Sequence, residues 1–215
     1  DREAEKPKSE LFVWDFEPTP ARKLISHGMR DFPDGHELST GSVTFSNDGA
    51  ALLFGINAPK PEDLPAILSD EKVSVDLWHW QDPLMQPMQK LRSSSLASRT
   101  HRWVCHIDDG KIVQASQSTQ ERVRFLTKDG SRLLITDSSP YAKEISWDAT
   151  YSDYYVANAF DGSREKVFEH MGRVSSSPSG RYMMHWDGEH WFCSDLVDGV
   201  SNNLTAGIDV PFWRW

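Results

Sequence analysis

Residues 176–180 read Ser176-Ser-Pro-Ser-Gly180, and an apolar-polar run, Arg181–Trp186, follows at once. Two earlier segments have the same form, Phe45-Ser-Asn-Asp-Gly49 and Leu126-Thr-Lys-Asp-Gly130. In each copy the third and fourth residues after the glycine are apolar, namely Leu52 and Leu53, Leu133 and Leu134, and Met183 and Met184. Glycine after Asp or Ser supplies the positive φ that a reversal of the chain needs. Each copy therefore predicts a β-hairpin with the same turn and the same second strand.

Further turn signals indicate that the hairpins come in groups of four strands. Residues 173–204 contain four short runs separated by three turns, at Ser179-Gly180, Asp187-Gly188 and Asp198-Gly199. Recurring hairpins are typical of β-propellers, whose blades repeat every ~40–50 residues. We therefore predict an all-β fold, a β-propeller of about four blades in an incomplete ring. The turns that we expect to shape it contain Asp48, Gly49, Asp109, Gly110, Asp129, Gly130, Asp161, Gly162, Ser179, Gly180, Asp187 and Gly188.

The spacing of the repeats sets the expected domain organisation. The three turn glycines lie 81 and 50 residues apart, so the first interval must hold an insertion or an imperfect extra unit. The predicted insertion is Asn57–Lys72, which is rich in proline and charged residues. Residues 1–10 are highly charged and are predicted to be a flexible lead-in. Residues 11–215 form the predicted propeller segment.

The repeat pattern also allows individual strands and helices to be predicted. Leu11–Phe16 and Arg22–Ile25 are expected to pair as the tail of a blade, and Val73–Trp80 is expected to form a strand. Leu84–Ser95 has apolar residues at helical spacing but contains a proline in its middle. Two interpretations of this segment stay open, a short helix and an irregular connection.

Charge and hydropathy exclude two classes of function. The net charge is -9, whereas a general nucleic-acid binder needs a basic patch that displaces counterions from phosphates. The chain has no apolar run of the ~18 residues that a membrane-spanning helix requires, and no export signal at its start. We expect neither a nucleic-acid partner nor a membrane span. Removal of an export signal from a longer precursor is an alternative that the sequence leaves open.

The serines do not form a recognisable catalytic motif. A serine hydrolase of the α/β class needs a G-x-S-x-G elbow, because the nucleophile stands on a strained turn beside its oxyanion donors. The sequence contains no such elbow. The runs Ser93–Ser95 and Ser175–Ser177 are interpreted as loop and turn residues. We expect no catalytic residue in the chain and no cofactor.

Histidines and cysteines offer candidate metal ligands with weak support. His185 and Asp187 share one face of a strand, and the next turn brings His190 near, a set that zinc accepts. Because Asp187-Gly188 is explained as a turn, the interpretation without metal is favoured. His101, Cys105 and His106 are likewise not favoured as ligands, because residues 105 and 106 point to opposite faces of a strand. Cys105 and Cys193 are predicted to be buried thiols rather than a disulfide.

Tryptophans allow a ligand platform as an alternative to core packing. The six candidates are Trp78, Trp80, Trp103, Trp147, Trp186 and Trp191. Core packing is the commoner fate of such side chains and is the favoured interpretation. The terminal segment Phe212–Trp215 is unusually apolar, which indicates a chain cut inside a larger protein.

A combination of segments resembles a known family. DLWHWQDPLMQPMQ (residues 76–89), WDATYSDYY (residues 147–155) and NLTAGIDVPF (residues 203–212) occur in that order, and SPSGRY (residues 177–182) is typical of TolB-type blades. From about residue 42 to residue 215 the chain resembles the N-terminal β-propeller of secreted bacterial serine peptidases of the prolyl oligopeptidase and dipeptidyl-peptidase family.

The resemblance implies a function for a parent protein. In that family the propeller caps a C-terminal α/β-hydrolase domain, which carries the catalytic triad, and restricts substrates to short peptides. It implies peptide substrates, a hydrolase domain as partner and a periplasmic or extracellular location. The paired glutamates of dipeptidyl peptidases have no convincing match at Glu62-Asp63 or Asp70-Glu71. The alternative is a non-enzymatic, protein-binding propeller of the TolB type, and a third option is a carbohydrate-binding propeller.

Overall fold

The computed structural model describes residues 8–16, 18–41, 43–59 and 75–208, and in these ranges the chain forms four antiparallel sheets. The first sheet has two strands and each later sheet is built on four antiparallel rows. The first sheet contains β1 (Leu11–Val13) and β2 (Arg22–Ile25). The second contains β3 (Glu37–Leu38), β4 (Thr44–Phe45), β5 (Ala51–Asn57), β6 (His101–His106) and β7 (Ile112–Gln114), and the third contains β8 (Arg122–Phe125), β9 (Arg132–Asp137), β10 (Ser152–Asn158) and β11 (Arg164–Met171). The fourth contains β12 (Val174–Ser176), β13 (Tyr182–Trp186), β14 (Trp191–Asp195) and β15 (Ser201–Asn203).

The strands of each sheet follow one another as a meander. In the third and fourth sheets each strand pairs with the next one in the chain, so the predicted grouping into four strands is present. In the second sheet the first row is divided between two short strands. Leu38 of β3 pairs with Ile56 of β5, and Phe45 of β4 pairs with Leu52 of β5. The all-β prediction is confirmed, with α1 (Gln86–Ala97) and two 3₁₀ turns, Ser139–Tyr141 and Glu144–Ser146, as additions.

The first hairpin of each of these sheets has a turn held by a side chain. The hydroxyl of Ser46, Thr127 or Ser177 accepts a hydrogen bond from the backbone N–H five residues later, at 2.9, 3.1 and 3.1 Å. The glycines of these turns, Gly49, Gly130 and Gly180, have φ values of 76°, 69° and 69°. Because the hydroxyl replaces a missing backbone partner, Ser or Thr at the first turn position stabilises the reversal.

Alternating side chains stack the sheets face to face in chain order. On β5, Leu52 and Phe54 pack toward the first sheet, whereas Leu53 packs toward the third. On β9, Leu133 packs toward the second sheet and Leu134 toward the fourth. Since successive side chains of a strand point to opposite faces, one apolar run supplies two separate cores. This explains why the second strand of each unit is apolar at consecutive positions.

The turns themselves pack tightly between neighbouring sheets. A Cβ atom at Gly130 would lie 2.9 Å from the Cβ atoms of both Ser46 and Ala51, and a Cβ atom at Gly180 would lie 2.8 Å from the carbonyl oxygen of Leu126. These two glycines therefore provide close approach as well as positive φ. Gly49 provides only the latter, because its Cβ would meet nothing within 4 Å.

Several sequence expectations about the first interval need correction. The predicted strand Val73–Trp80 is wrong for residues 75–80, which are not in a strand; the third row of the second sheet is instead β6. Residues 58–100 separate β5 from β6, so the excursion is longer than Asn57–Lys72. Residues 60–74, which include most of the predicted insertion and both acidic pairs at 62–63 and 70–71, lie outside the described residues.

Other boundaries also differ. The expected strand Leu11–Phe16 ends at Val13, and Phe16 has a φ of 63°. Leu84–Ser95 contains a true helix, because Pro87 lies in the first turn, where its missing N–H has no helical partner to lose. Ser93–Ser95 are therefore helical rather than loop residues. Residues 1–7 of the predicted lead-in and 209–215 of the apolar terminus lie outside the described residues. No helix in the described ranges is long and apolar enough to cross a membrane.

Candidate functional site

The longer connections between strands lie at one end of the stacked sheets, which we call the loop end. There the second strand of each sheet connects to the third, through residues 58–100, 138–151 and 187–190, and each sheet connects to the next. The opposite end carries only the tight first and third hairpin turns. Longer connections on a rigid scaffold commonly carry binding residues. The loop end is therefore the place to look for a site.

An aromatic pocket of about 700 Å³ opens at the loop end. Tyr151 and His170 contribute from the third sheet, and their stacked rings are 4.1 Å apart. Trp186 and Trp191 contribute from the fourth sheet, with ring centroids 5.5 Å apart and planes tilted by 54°. Arg173, in the link between the two sheets, also lines the pocket. A pocket of this size with a few polar groups is suited to holding a side chain or a small ligand.

His170 is held in a backbone conformation that is rare outside glycine. Its φ is 49°, within a bulge that shifts the register between β10 and β11. Its backbone N–H donates to Asp153 Oδ1 at 3.1 Å, and its ring Nε2 lies 2.8 Å from Glu144 Oε2. Such strain costs of order 1–3 kcal/mol and persists only where the surroundings enforce it. The bulge thus fixes the His170 ring against Tyr151 as one wall of the pocket.

Asp153 is the buried centre of the network behind this wall. Its carboxylate accepts hydrogen bonds from the hydroxyl of Tyr141 at 2.6 Å and from Lys166 Nζ at 2.8 Å, besides the bond from His170. Burial raises the pKa of Asp153, but the hydrogen bonds from Lys166, Tyr141 and the His170 backbone outweigh it, so the net pKa is lowered. The same hydrogen bond to Asp153, followed by burial, raises the pKa of Tyr141 to about 12. The network therefore favours the ionised carboxylate.

We predict that Asp153→Asn destabilises the chain by about 2 kcal/mol at pH 7, because a charged acceptor of four hydrogen bonds becomes neutral. Asp153 has a lowered folded-state pKa, so its contribution is present above its unfolded pKa near 3.8 and is lost as the pH falls through the lowered value. Urea denaturation at pH 7 and pH 3 should therefore show a smaller difference between wild type and variant at the lower pH. The exposed Asp108→Asn is the control and should stay within about 0.5 kcal/mol of wild type. An equal loss at both pH values would contradict this assignment.

A second, more polar cavity of about 830 Å³ lies between the outer parts of the third and fourth sheets. Its lining includes Arg132, Glu165, Ser194 and His185. The ring of His185 is only 6% exposed and lies between Phe168 and Phe192, at 4.7 and 5.5 Å. Burial lowers the pKa of His185, and no hydrogen-bond partner for its Nδ1 exists among the described residues. Its surroundings therefore disfavour the charged form of this histidine.

The candidate metal ligands each contact other groups of the chain. Asp187 Oδ1 accepts the backbone N–H groups of Glu189 and His190, at 2.8 and 2.7 Å, which makes it a turn residue. His190 Nδ1 lies 3.0 Å from Thr205 Oγ1, and His185 is enclosed by phenylalanines. In the described ranges no three His, Cys, Asp or Glu side chains are placed to hold a metal ion. His101 and His106 belong to β6 with Cys105, and His106 Nε2 lies 2.9 Å from the Ala159 carbonyl oxygen.

The two cysteines are free thiols in different surroundings. Cys105 is fully buried, and burial, reinforced by Asp109, raises its pKa to about 11. Cys193 is only partly buried, so the expectation of full burial is wrong for it. It pairs with Met184 across β13 and β14. Its side chain therefore lies on the face of the fourth sheet that points away from the third.

Tryptophan exposure differs from the expectation of core packing. Trp78, Trp80 and Trp147 are 61%, 74% and 72% exposed, and all three line a small pocket at the loop end. Trp103 does pack against the core between the first two sheets. The expectation of core packing is thus wrong for the three exposed tryptophans, which lie on long connections. Trp186 and Trp191 are half-buried and their rings are not coplanar.

The structure places the predicted turn residues away from the aromatic pocket, with two exceptions. Asp48, Gly49, Asp109, Gly110, Asp129, Gly130, Asp161, Gly162, Ser179 and Gly180 lie in turns opposite the loop end. Asp187 and Gly188 lie at the loop end and line the pocket. Sequence reasoning missed Tyr151, Asp153 and His170. The segment WDATYSDYY contains Tyr151 and Asp153, but no motif marks His170, and the contact among the three depends on the bulge between β10 and β11.

No protein-family model matches the chain, and no curated protein matches it. Among solved structures it is similar to TolB from Acinetobacter baumannii (14% identity, TM-score 0.38, 77% of this chain and 32% of that one). It is also similar to the acylaminoacyl peptidase of Pyrococcus horikoshii (17% identity, TM-score 0.43, 93% of this chain and 29% of that one). The chain spans about a third of the length of each.

Proposed function

We propose that this chain is the noncatalytic β-propeller part of a secreted serine peptidase of the prolyl oligopeptidase family. Its blades restrict access of peptides to a hydrolase domain that another part of the parent polypeptide supplies. The observation that supports the proposal most directly is an apolar sheet face that the described residues leave open. Its central residue, Met184, corresponds to Leu53 and Leu134, which are buried between the earlier sheets.

Corresponding positions on the second strand of each sheet show the difference. Leu53 is 2% exposed and Leu134 is 1% exposed, because the next sheet covers each of them. Met184 occupies the same position after the turn glycine and is 41% exposed. Tyr182, two residues away on the same face, is 42% exposed. We call this face, with Tyr182, Met184, Trp186, Trp191 and Cys193, the open face of the fourth sheet.

An open face of this kind implies a covering sheet in the working protein. Half-exposed Met, Tyr and Trp side chains in one contiguous patch mark an interaction surface. A propeller covers such a face with the next blade, as the earlier sheets of this chain already do for one another. The chain then represents part of a ring, as the sequence predicts, and its location in the periplasm or outside the cell belongs to the same proposal.

The gate acts by size. In the complete ring that we propose, the first strands would line a narrow central channel, which an unfolded peptide can enter and a folded protein cannot. The parent peptidase is expected to cleave a short peptide at least ~100-fold faster than the same sequence placed within a folded domain. The chain alone should cleave neither. Equal rates on the two substrates would refute the gate.

A second candidate function is favoured by the aromatic pocket. A non-enzymatic propeller of the TolB type would present a compact patch on one rim to a protein partner, and Tyr151, His170, Trp186 and Trp191 form such a patch. The two candidates differ in peptidase activity. A parent protein that binds polypeptide at the loop end and hydrolyses no peptide would support this second function.

A further inference from the structure

Three arginines line the first strands of the third and fourth sheets without a carboxylate partner. Arg122 and Arg124 belong to β8, and Arg173 immediately precedes β12; all three side chains are exposed. Both β8 and β12 are edge strands, because each is the first row of its sheet. Arg124 Nη2 donates to Ser176 Oγ of β12 at 3.1 Å. The two edges therefore lie side by side, and we call them the arginine edge.

The chain that carries these arginines is acidic overall. It has 32 acidic and 23 basic residues, so carboxylates are abundant. In the described ranges, the basic side chains that pair with a carboxylate are Lys23, Lys90, Arg164, Lys166 and Arg181, and most others have no such partner. Within the described ranges, none of the three arginines has a carboxylate within 4.0 Å. Charged side chains also protect edge strands from aggregation, but that role requires no particular spacing.

We propose that the arginine edge binds an extended acidic peptide whose carboxylates alternate along the chain. Arg122 and Arg124 are two residues apart on one strand and so point to the same face, about 7 Å apart. In an extended peptide, acidic residues at alternate positions have the same spacing. The guanidinium group forms bidentate hydrogen bonds with a carboxylate, which adds directional specificity to the attraction of charge.

A peptide fits this edge better than a nucleic acid does. Phosphate backbones are bound by broad basic patches, whereas this edge has three arginines on a chain of net charge -9. A short peptide with two to four carboxylates experiences less repulsion from the rest of the chain. The proposal goes beyond the proposed function and needs no peptidase activity for its test.

The test uses an eight-residue fluorescent peptide of alternating Glu and Ser, and a second peptide with Gln in place of Glu. At 50 mM salt the 215-residue chain is expected to bind the Glu peptide at least about tenfold more tightly, and the advantage should shrink as salt rises. The double variant Arg122→Gln/Arg124→Gln is expected to weaken binding about five- to tenfold, since exposed ion pairs contribute modestly. Arg122→Gln alone, which removes no side-chain contact of the described structure, should weaken it about two- to fourfold.

The matched control is Arg30→Gln/Arg99→Gln, which makes the same change in net charge at two exposed arginines away from the edge. It should leave binding within twofold of wild type. The proposal is overturned if the Glu and Gln peptides bind alike, or if the control weakens binding as much as the edge variants do. It is also overturned if a single-stranded oligothymidylate binds as tightly as the Glu peptide and depends equally on Arg122 and Arg124. That result would assign the edge to phosphates.

Discussion

Replacing Gly130 with alanine is expected to lower the free energy of unfolding by about 2–4 kcal/mol. Two costs add. At a φ of 69° an alanine meets its own backbone, which costs about 1–2 kcal/mol. Its Cβ would also lie 2.9 Å from the Cβ atoms of Ser46 and Ala51, so the second and third sheets must separate. These neighbours are the first atoms of short side chains and cannot rotate away.

The control for this prediction is Gly49→Ala. Gly49 has a similar φ of 76°, but a Cβ there meets nothing within 4 Å. Only the backbone cost remains, so the loss should be about 1–2 kcal/mol. Urea denaturation of the two variants separates the effects. If both substitutions lower the free energy of unfolding equally, the contact between turns of neighbouring sheets does not contribute to stability. That result would contradict the close packing of the second and third sheets at Gly130.

Truncating Leu134 to alanine is the other change with a large expected effect, about 3–5 kcal/mol. Leu134 is 1% exposed and packs with Val156 and Met183 between the third and fourth sheets. Removal of its branched end leaves a cavity that two rigid sheets cannot close. The loss should also loosen the fourth sheet, since this cluster is its main apolar contact with the rest of the chain.

Met184→Ala is the matched comparison, because Met184 is the corresponding residue of the next sheet. It is 41% exposed, so truncation in the 215-residue chain should cost less than about 1 kcal/mol. Denaturation curves for both variants decide the matter. A cost for Met184→Ala similar to that of Leu134→Ala would mean that the open face is covered within this chain, by residues outside the described ranges or by a second copy.

The repeats could be predicted from sequence because their causes are local. The turns around Gly130 and Gly180 need a glycine, a preceding Asp or Ser and an initial hydroxyl, all within six residues. The split of Leu133 and Leu134 between two cores follows from the period of a strand. The tight first and third turns of a sheet then pair the strands on either side of them. Local chemistry therefore predicts the four-strand units well.

The site could not be predicted in the same way. The strained φ of His170 depends on a bulge between β10 and β11, and on bonds to Asp153 and Glu144 that span 17 and 26 residues. The exposure of Trp78 and Trp80 likewise depends on where a long connection lies. A tryptophan-rich alternating run resembles a buried strand, and only tertiary contacts distinguish the two.

The most direct test of the account is the rate at which iodoacetamide alkylates Cys193. This thiol lies on the open face beside Met184, whereas Cys105 is fully buried with a pKa raised to about 11 and serves as the unreactive internal reference. We expect Cys193 to react readily in the 215-residue chain and at least about tenfold more slowly in the parent protein, where a further sheet covers it. Equal rates in the two would contradict the proposal that this chain is part of a larger propeller.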